Sequence, residues 1–326
     1  MNLAQIRTCL RDLLTAGGGQ NTAVTTDTFW SESELNTYIN MAQGEIYKII
    51  RRARSDYFTR ILRSTDLPLV IRGQMFDPAT LTWVPNQGNY TLPPDFVRVK
   101  IITDLSADRL RLIGSDIAKN SFRVLMNESG GNTAREYLYD ILGVRTIIYR
   151  PLPTEARTFE FIYEKMLDLM RDWTTGSVSM VQGNATATFS ASVDLLNRVV
   201  VGDELLVGTA AATQVIPDPN VSYPVIKSID SATQVTLQNV YLDATIDNVA
   251  YRISSVSEVP EHHHYLLVVI AAIYAFKKGT NPSADAAAIW ESEQAKMIPN
   301  LINDVETRQG SDLETSEPFL EDLYDA

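Results

Sequence analysis

The chain has 326 residues, with 28 Lys and Arg against 40 Asp and Glu, a formal net charge of −12. That balance disfavours a protein that simply coats nucleic acid or an anionic membrane, because the net field repels both. The composition is 45% apolar and 21% charged, which excludes wholesale disorder, and the single cysteine, Cys9, excludes an intramolecular disulfide and a thiolate zinc cage.

Residues 3–14 read as a short amphipathic helix, with Leu3, Ile6, Leu10, Leu13 and Leu14 at three- and four-residue spacing. Cys9 flanks that face and reads as buried filler. Charges interrupt the apolar stretch, so it is not a signal peptide. Gly17-Gly18-Gly19 ends the helix. Ser31 and Glu34 then form a capping box, and Trp30 and Leu35 sit where a hydrophobic staple would close. From Leu35 the apolar positions continue through Ile39, Ala42, Ile46, Ile49, Ala53, Tyr57 and Ile61. The spacing predicts one helix of about 30 residues. Its second half carries Lys48, Arg51, Arg52, Arg54, Arg60 and Arg63 against Asp56 alone.

The period changes after Pro68. Residues 97–101, 109–112, 137–141, 145–149 and 158–163 read as strands of a small, mostly antiparallel sheet. Residues 115–127 read as a short helix, and Pro151-Leu152-Pro153 as a turn. Residues 173–255 hold one Lys and two Arg and are rich in Ser, Thr, Val, Ala and Asn. Strands are predicted at 176–181, 185–189, 201–207, 223–229, 235–240 and 250–253, the pattern of an inserted barrel or sandwich. Helices then resume. Ser257 is placed as a cap with Pro260 in the first turn, and Lys277, Lys278 and Gly279 at the far end. A last helix opens at Pro282-Ser283 and is expected to break or bend near Pro299. The longest apolar run, Tyr265 to Phe276, is twelve residues, too short to span a bilayer.

Catalytic chemistry is hard to find. There is no G-x-S-x-G, no Walker A loop and no dinucleotide fingerprint. His262, His263 and His264 are consecutive, and neighbours on a helix point about 100° apart, so they are not expected to converge on one metal. They read as structural or surface residues; the alternative is an inter-subunit metal or pH-sensitive contact. The acid pairs Glu32/Glu34 and Glu321/Asp322 read as a helix N-terminus and a solvated tail. No catalytic residue, cofactor or metal is expected, and the protein reads as non-enzymatic. Two features remain. The basic cluster (Lys48, Arg51, Arg52, Arg54, Arg60, Arg63) reads as a solvated face, a subunit or partner interface, or a DNA phosphate contact. The acidic stretch from Asp304 places Phe319, Leu320, Leu323 and Tyr324 among carboxylates, as a segment that folds on a partner would.

The order of these elements resembles that of the head-to-tail adaptor (connector) proteins of tailed bacteriophages. The resemblance rests on Trp30, Ser31, Glu34, Leu35, Tyr38, Ile39, Asn40 and Ala42 at the capped helix, and on the step Tyr90, Leu92, Pro93, Asp95, Phe96. It also rests on the turn Tyr149, Pro151, Pro153 and on the final helix pair. It covers about 1–170 and 256–303. The 173–255 segment departs from it and looks like a β-module of phage structural proteins.

The expected fold is α+β: an adaptor domain at 1–172 and 256–303, an inserted β-domain at 173–255, and an acidic partner-docking tail at 304–326. The resemblance implies a homo-oligomeric ring, twelve-fold in this family, that joins the portal protein to a downstream tail or nozzle protein. Double-stranded DNA would pass through the lumen without sequence-specific binding. It implies a virion protein at the head–tail interface, made in the host cytoplasm, with the tail anchors docking on the portal. The alternative is a tail or baseplate binding module whose β-domain recognises a host glycan or another tail protein, through Tyr223, Tyr241 or Tyr251 if these are exposed.

Overall fold

The structure, a computed structural model, describes residues 1–16, 30–64, 74–77, 82–85, 89–105, 111–112, 114–115, 138–142, 146–150, 158–190, 194–208, 222–278 and 284–307. Contacts divide the chain into two compact units, Met1–Arg54 with Leu169–Ala326, and Ser55–Asp168. Helices and antiparallel sheets occur together, so the α+β class holds.

Helix α1 spans Leu3–Ala16. Leu3, Ile6, Leu10 and Leu14 form its buried stripe, and Cys9 is half-buried with its thiol pKa raised by burial, so it is not a reactive thiolate. Helix α2 spans Glu32–Ala53. The predicted capping box is present: Ser31 Oγ accepts from the Glu34 N–H at 3.2 Å, and the Ser31 N–H donates to Glu34 Oε2 at 3.0 Å. Trp30 and Leu35 are both buried, and Leu35, Ile39, Ala42, Ile46 and Ile50 continue the inward stripe.

The expected 30-residue helix is not formed. Arg54 is extended (φ −142°, ψ 103°), and its N–H closes the last turn on the Ile50 carbonyl at 2.7 Å. Thr59–Arg63 is a strand, β1. Ser55 and Asp56 are weak helix formers, and β-branched Thr59 and Ile61 suit a strand. The four-residue spacing from Ala53 to Ile61 was coincidental, for Ile61 is 60% exposed.

Among the described residues the second unit holds β1 and nine further strands. These are β2 (Gln74–Asp77), β3 (Thr82–Pro85), β4 (Asn89–Thr91), β5 (Phe96–Asp104), β6 (Arg111–Leu112), β7 (Gly114–Ser115), β8 (Leu138–Leu142), β9 (Thr146–Arg150) and β10 (Phe159–Lys165). One antiparallel sheet has the order β1-β10-β5-β6; a second, antiparallel except for the parallel pair β7–β8, has the order β4-β9-β8-β7, and β2 pairs with β3. Phe159 and Phe161 point inward from β10 and meet Ile102, Tyr90, Leu92 and Ile147, so both four-stranded sheets share one core. The predicted helix at 115–127 lies outside the described residues except Ser115, which is in β7. The Pro151–Pro153 turn also lies outside them.

The first unit resumes with β11 (Asp172–Trp173), β12 (Val178–Met180), β13 (Thr186–Phe189), β14 (Glu204–Val207), β15 (Ile226–Ser231), β16 (Gln234–Leu237), β17 (Ile246–Val249) and β18 (Tyr251–Ser254). They make a three-stranded sheet, β11-β18-β14, and a five-stranded sheet, β15-β16-β13-β12-β17. Val178, Met180, Phe189, Leu205, Val235, Leu237 and Tyr251 fill the core between these strands. The start of the chain is stitched to this region. Leu3 N–H donates to the Ser255 carbonyl at 2.9 Å, Ala4 N–H to Ser254 Oγ at 3.0 Å and Asn2 Nδ2 to Glu204 Oε2 at 2.6 Å.

A 3-10 turn, Glu261–His263, leads into α3 (His264–Phe276), followed by α4 (Ala284–Thr307). Helix α3 is buried nearly all round and packs against α1, α2 and α4, which explains its uninterrupted apolar run. Ser257 does not cap it: Ser257 Oγ donates to Gln43 Oε1 at 3.2 Å and accepts from the Val259 N–H at 3.3 Å. Helix α4 does not break at Pro299. Pro299 is exposed, so water can satisfy the carbonyl it leaves unpaired.

Candidate interaction surfaces

Helix α2 and strand β1 divide the basic cluster between them. Lys48, Arg51 and Arg52 lie in the last two turns of α2, where cations favour the helix dipole, and Arg54 is its C-cap. Lys48 and Arg52 are exposed and pair with no carboxylate among the described residues. Arg60 and Arg63 sit on β1 and meet carboxylates of their own sheet region. Arg60 reaches Asp95 at 3.3 Å, and Arg63 reaches Glu160 on β10 at 3.9 Å. Tyr163 OH also donates to Asp95, at 3.1 Å; burial is the main cause raising its pKa to about 12. The six basic residues are therefore not one helical face.

The same sheet carries a feature that helical reading concealed. Register places Ile61 of β1 beside Ile162 of β10, and Ile162 beside Ile101 of β5. Ile61 is 60% exposed and Ile101 43%. Three isoleucines thus form an outward apolar row. Arg63 with Glu160 flanks it on one side, and on the other half-exposed Arg98 meets the buried Glu164, 2.5 Å apart. An apolar centre with a mixed-sign polar rim is the anatomy of a protein–protein contact. The signal was the β-branched alternation at 59–63, masked by the four-residue spacing.

A family model described as SU10 adaptor protein matches residues 1–192. The chain belongs to the SU10 adaptor protein family. It is a phage adaptor, a structural component of the virion. The match runs through α1, α2, the whole second unit and β12 and β13. No curated protein matches the sequence.

In this adaptor the four expected portal-docking residues, Phe319, Leu320, Leu323 and Tyr324, lie outside the described residues. No helix among the described residues is long and apolar enough to cross a membrane. Two of the three tyrosines of the glycan alternative are core residues. Tyr251 is buried and donates to the Thr175 carbonyl at 2.7 Å, Tyr241 is buried, and half-buried Tyr223 packs on Ala4 and Leu206. Burial closes Tyr251 and Tyr241 to stacking on a sugar, and Tyr223 is partly exposed.

A buried ionic junction also went unread in the sequence. Asp172 Oδ2 accepts from Arg7 Nη2 at 2.6 Å and from Arg252 Nη1 at 2.5 Å, and Glu32 approaches both arginines at 3.7 and 3.9 Å. Arg7 is 4% exposed and Arg252 5%. Arg7 Nη1 further donates to Asn36 Oδ1 at 2.8 Å. The Asp172 carboxylate so joins α1, β11 and β18, and the two arginines extend the junction to Glu32 and Asn36 of α2. The histidines also divide. His264 is buried, with Nε2 on the Val259 carbonyl at 2.8 Å, and burial lowers its pKa to about 4. His262 and His263 instead turn toward Asp304 of α4. Among the described residues these three are the group able to hold a metal ion.

Proposed function

We propose that this adaptor assembles into a closed ring, twelve-fold as expected for such adaptors, that joins the portal to the tail around the DNA exit channel. The observation that carries this reading is the family match over residues 1–192. A ring needs heterologous contacts, in which one face of each copy meets a different face of the next. The Ile61–Ile162–Ile101 row, with charges of both signs at its rim, suits a neighbouring copy of this chain far better than DNA, whose backbone offers only negative charge. Lys48 and Arg52 supply positive charge at the end of α2 that no carboxylate among the described residues pairs, either for an acidic neighbour or for phosphates in the lumen. The part of 304–326 that follows α4, net negative and carrying four large apolar anchors, is assigned to the portal.

The test is assembly with the cognate portal protein. The full chain and the portal, mixed and separated by size, should co-migrate, and electron micrographs should give rings. Removing residues 311–326 should abolish co-migration while leaving the circular dichroism spectrum unchanged. A chain that stays monomeric and has no affinity for the portal overturns the proposal.

A further inference from the structure

Helical-wheel spacing fixes where Cβ atoms point, not where ring nitrogens end. His262 and His263 lie in the 3-10 turn before α3, and their rings lean together, centroids 4.3 Å apart at 52°. Both direct Nε2 at one oxygen, Oδ2 of Asp304 in the last turn of α4, at 2.8 Å from His262 and 3.5 Å from His263. The three donor atoms lie within 4.8 Å of one another. Two consecutive imidazoles so converge with a carboxylate forty residues away, against the expectation from their sequence spacing.

We propose that His262, His263 and Asp304 bind a divalent transition-metal ion of the zinc class. A tetrahedral ion with bonds of about 2.0–2.1 Å holds its donors about 3.3 Å apart, so side-chain shifts of about 1 Å close the site. Two imidazoles and one carboxylate favour zinc, nickel or cobalt over magnesium or calcium, which prefer oxygen throughout. The burial also fits a site with an entrance. His263 is only 10% exposed and forms the inner wall, while Asp304 at 30% and His262 at 52% face solvent. A fourth position remains open to water. Asp304 sits near the C-terminal end of α4, where the helix dipole favours a cation, and Glu261 adds negative charge beside the histidines. The ion would take the place of the His262–Asp304 hydrogen bond and pin the end of α4 to the start of α3. That fastening point lies immediately before residues 308–326.

The experiment uses the full chain without an affinity tag, freed of metal by a chelator. Zinc is titrated by calorimetry, cobalt by visible absorption, and magnesium serves as the comparison ion. One zinc per chain, a cobalt spectrum of low coordination number and a raised melting temperature with zinc are expected. His262→Gln and Asp304→Asn should each weaken zinc binding by about tenfold or more. His262 is half exposed, so its variant folds even where Asp304→Asn does not, and circular dichroism of the metal-free proteins checks this. Absence of saturable zinc binding overturns the proposal. So does zinc binding that both variants leave unchanged, or magnesium binding as tight as zinc.

Discussion

Two sets of cations in the first unit show how little a charge count says about its use. Arg7 and Arg252 are buried and share Asp172, with Glu32 close by. Lys48 and Arg52 are exposed at the end of α2 and pair with nothing described. The first set is committed to structure, because a guanidinium removed from water needs its counter-charge within hydrogen-bond reach. The second set is paid for by solvent and is free to meet another molecule. Arg60 and Arg63 stand between these extremes, paired within their sheet yet 54% and 62% exposed.

Five variants break or sharpen this contrast. The largest effect is expected from Asp172→Ala, which leaves two buried guanidiniums without their shared partner and should cost about 3 kcal/mol in denaturant unfolding. A loss below about 1 kcal/mol would mean that Glu32 or water replaces the carboxylate. Ser31→Ala removes the cap of α2 and should cost about 1 kcal/mol by the same measurement.

The next effect is a pH dependence. Lys278 and the Ser31 cap hold the Glu34 carboxyl at about 2, below its ordinary 4.5. A depressed folded-state pKa means the unfolded chain binds the proton first as pH falls. The contribution is therefore complete above pH 4.5 and is lost between 4.5 and about 2. Wild type and Glu34→Gln should differ in melting temperature at pH 7, and the gap should narrow across that window. A constant gap would show that the charge on Glu34 is irrelevant.

The smallest effects on stability belong to the exposed cations. Arg60→Ala with Arg63→Ala should cost no more than about 1 kcal/mol. Lys48→Glu with Arg52→Glu should change stability by less than about 0.5 kcal/mol. That last pair should nonetheless weaken ring assembly, measured by light scattering. Rings that persist but fail to retain DNA would assign the two residues to the lumen.

Local physics made much of this molecule legible. The capping box at Ser31 and Glu34 was readable because it needs only four consecutive residues. The buried stripe of α1, the core helix at Tyr265–Phe276 and most strands of 178–254 follow from periodicity and β-branching in the same way. The end of α2 was not legible, since Ala53, Tyr57 and Ile61 satisfy helical spacing by chance, and only pairing of β1 with β10 decides the matter. The isoleucine row needs three strands brought into register from positions 61, 101 and 162.

The sequence by itself determined the class of elements, the acidic balance, the want of a familiar catalytic motif and the order that marks an adaptor. Each of these is read from counts along the chain or from neighbours within a turn or two of it. Only the tertiary structure decided which cations are spent internally, which aromatics are core and which histidines face Asp304. Those outcomes depend on groups 42 to 245 residues apart, from His262–Asp304 to Arg7–Arg252 around Asp172. Their energies come from burial and short-range electrostatics, which exist only once the chain has folded.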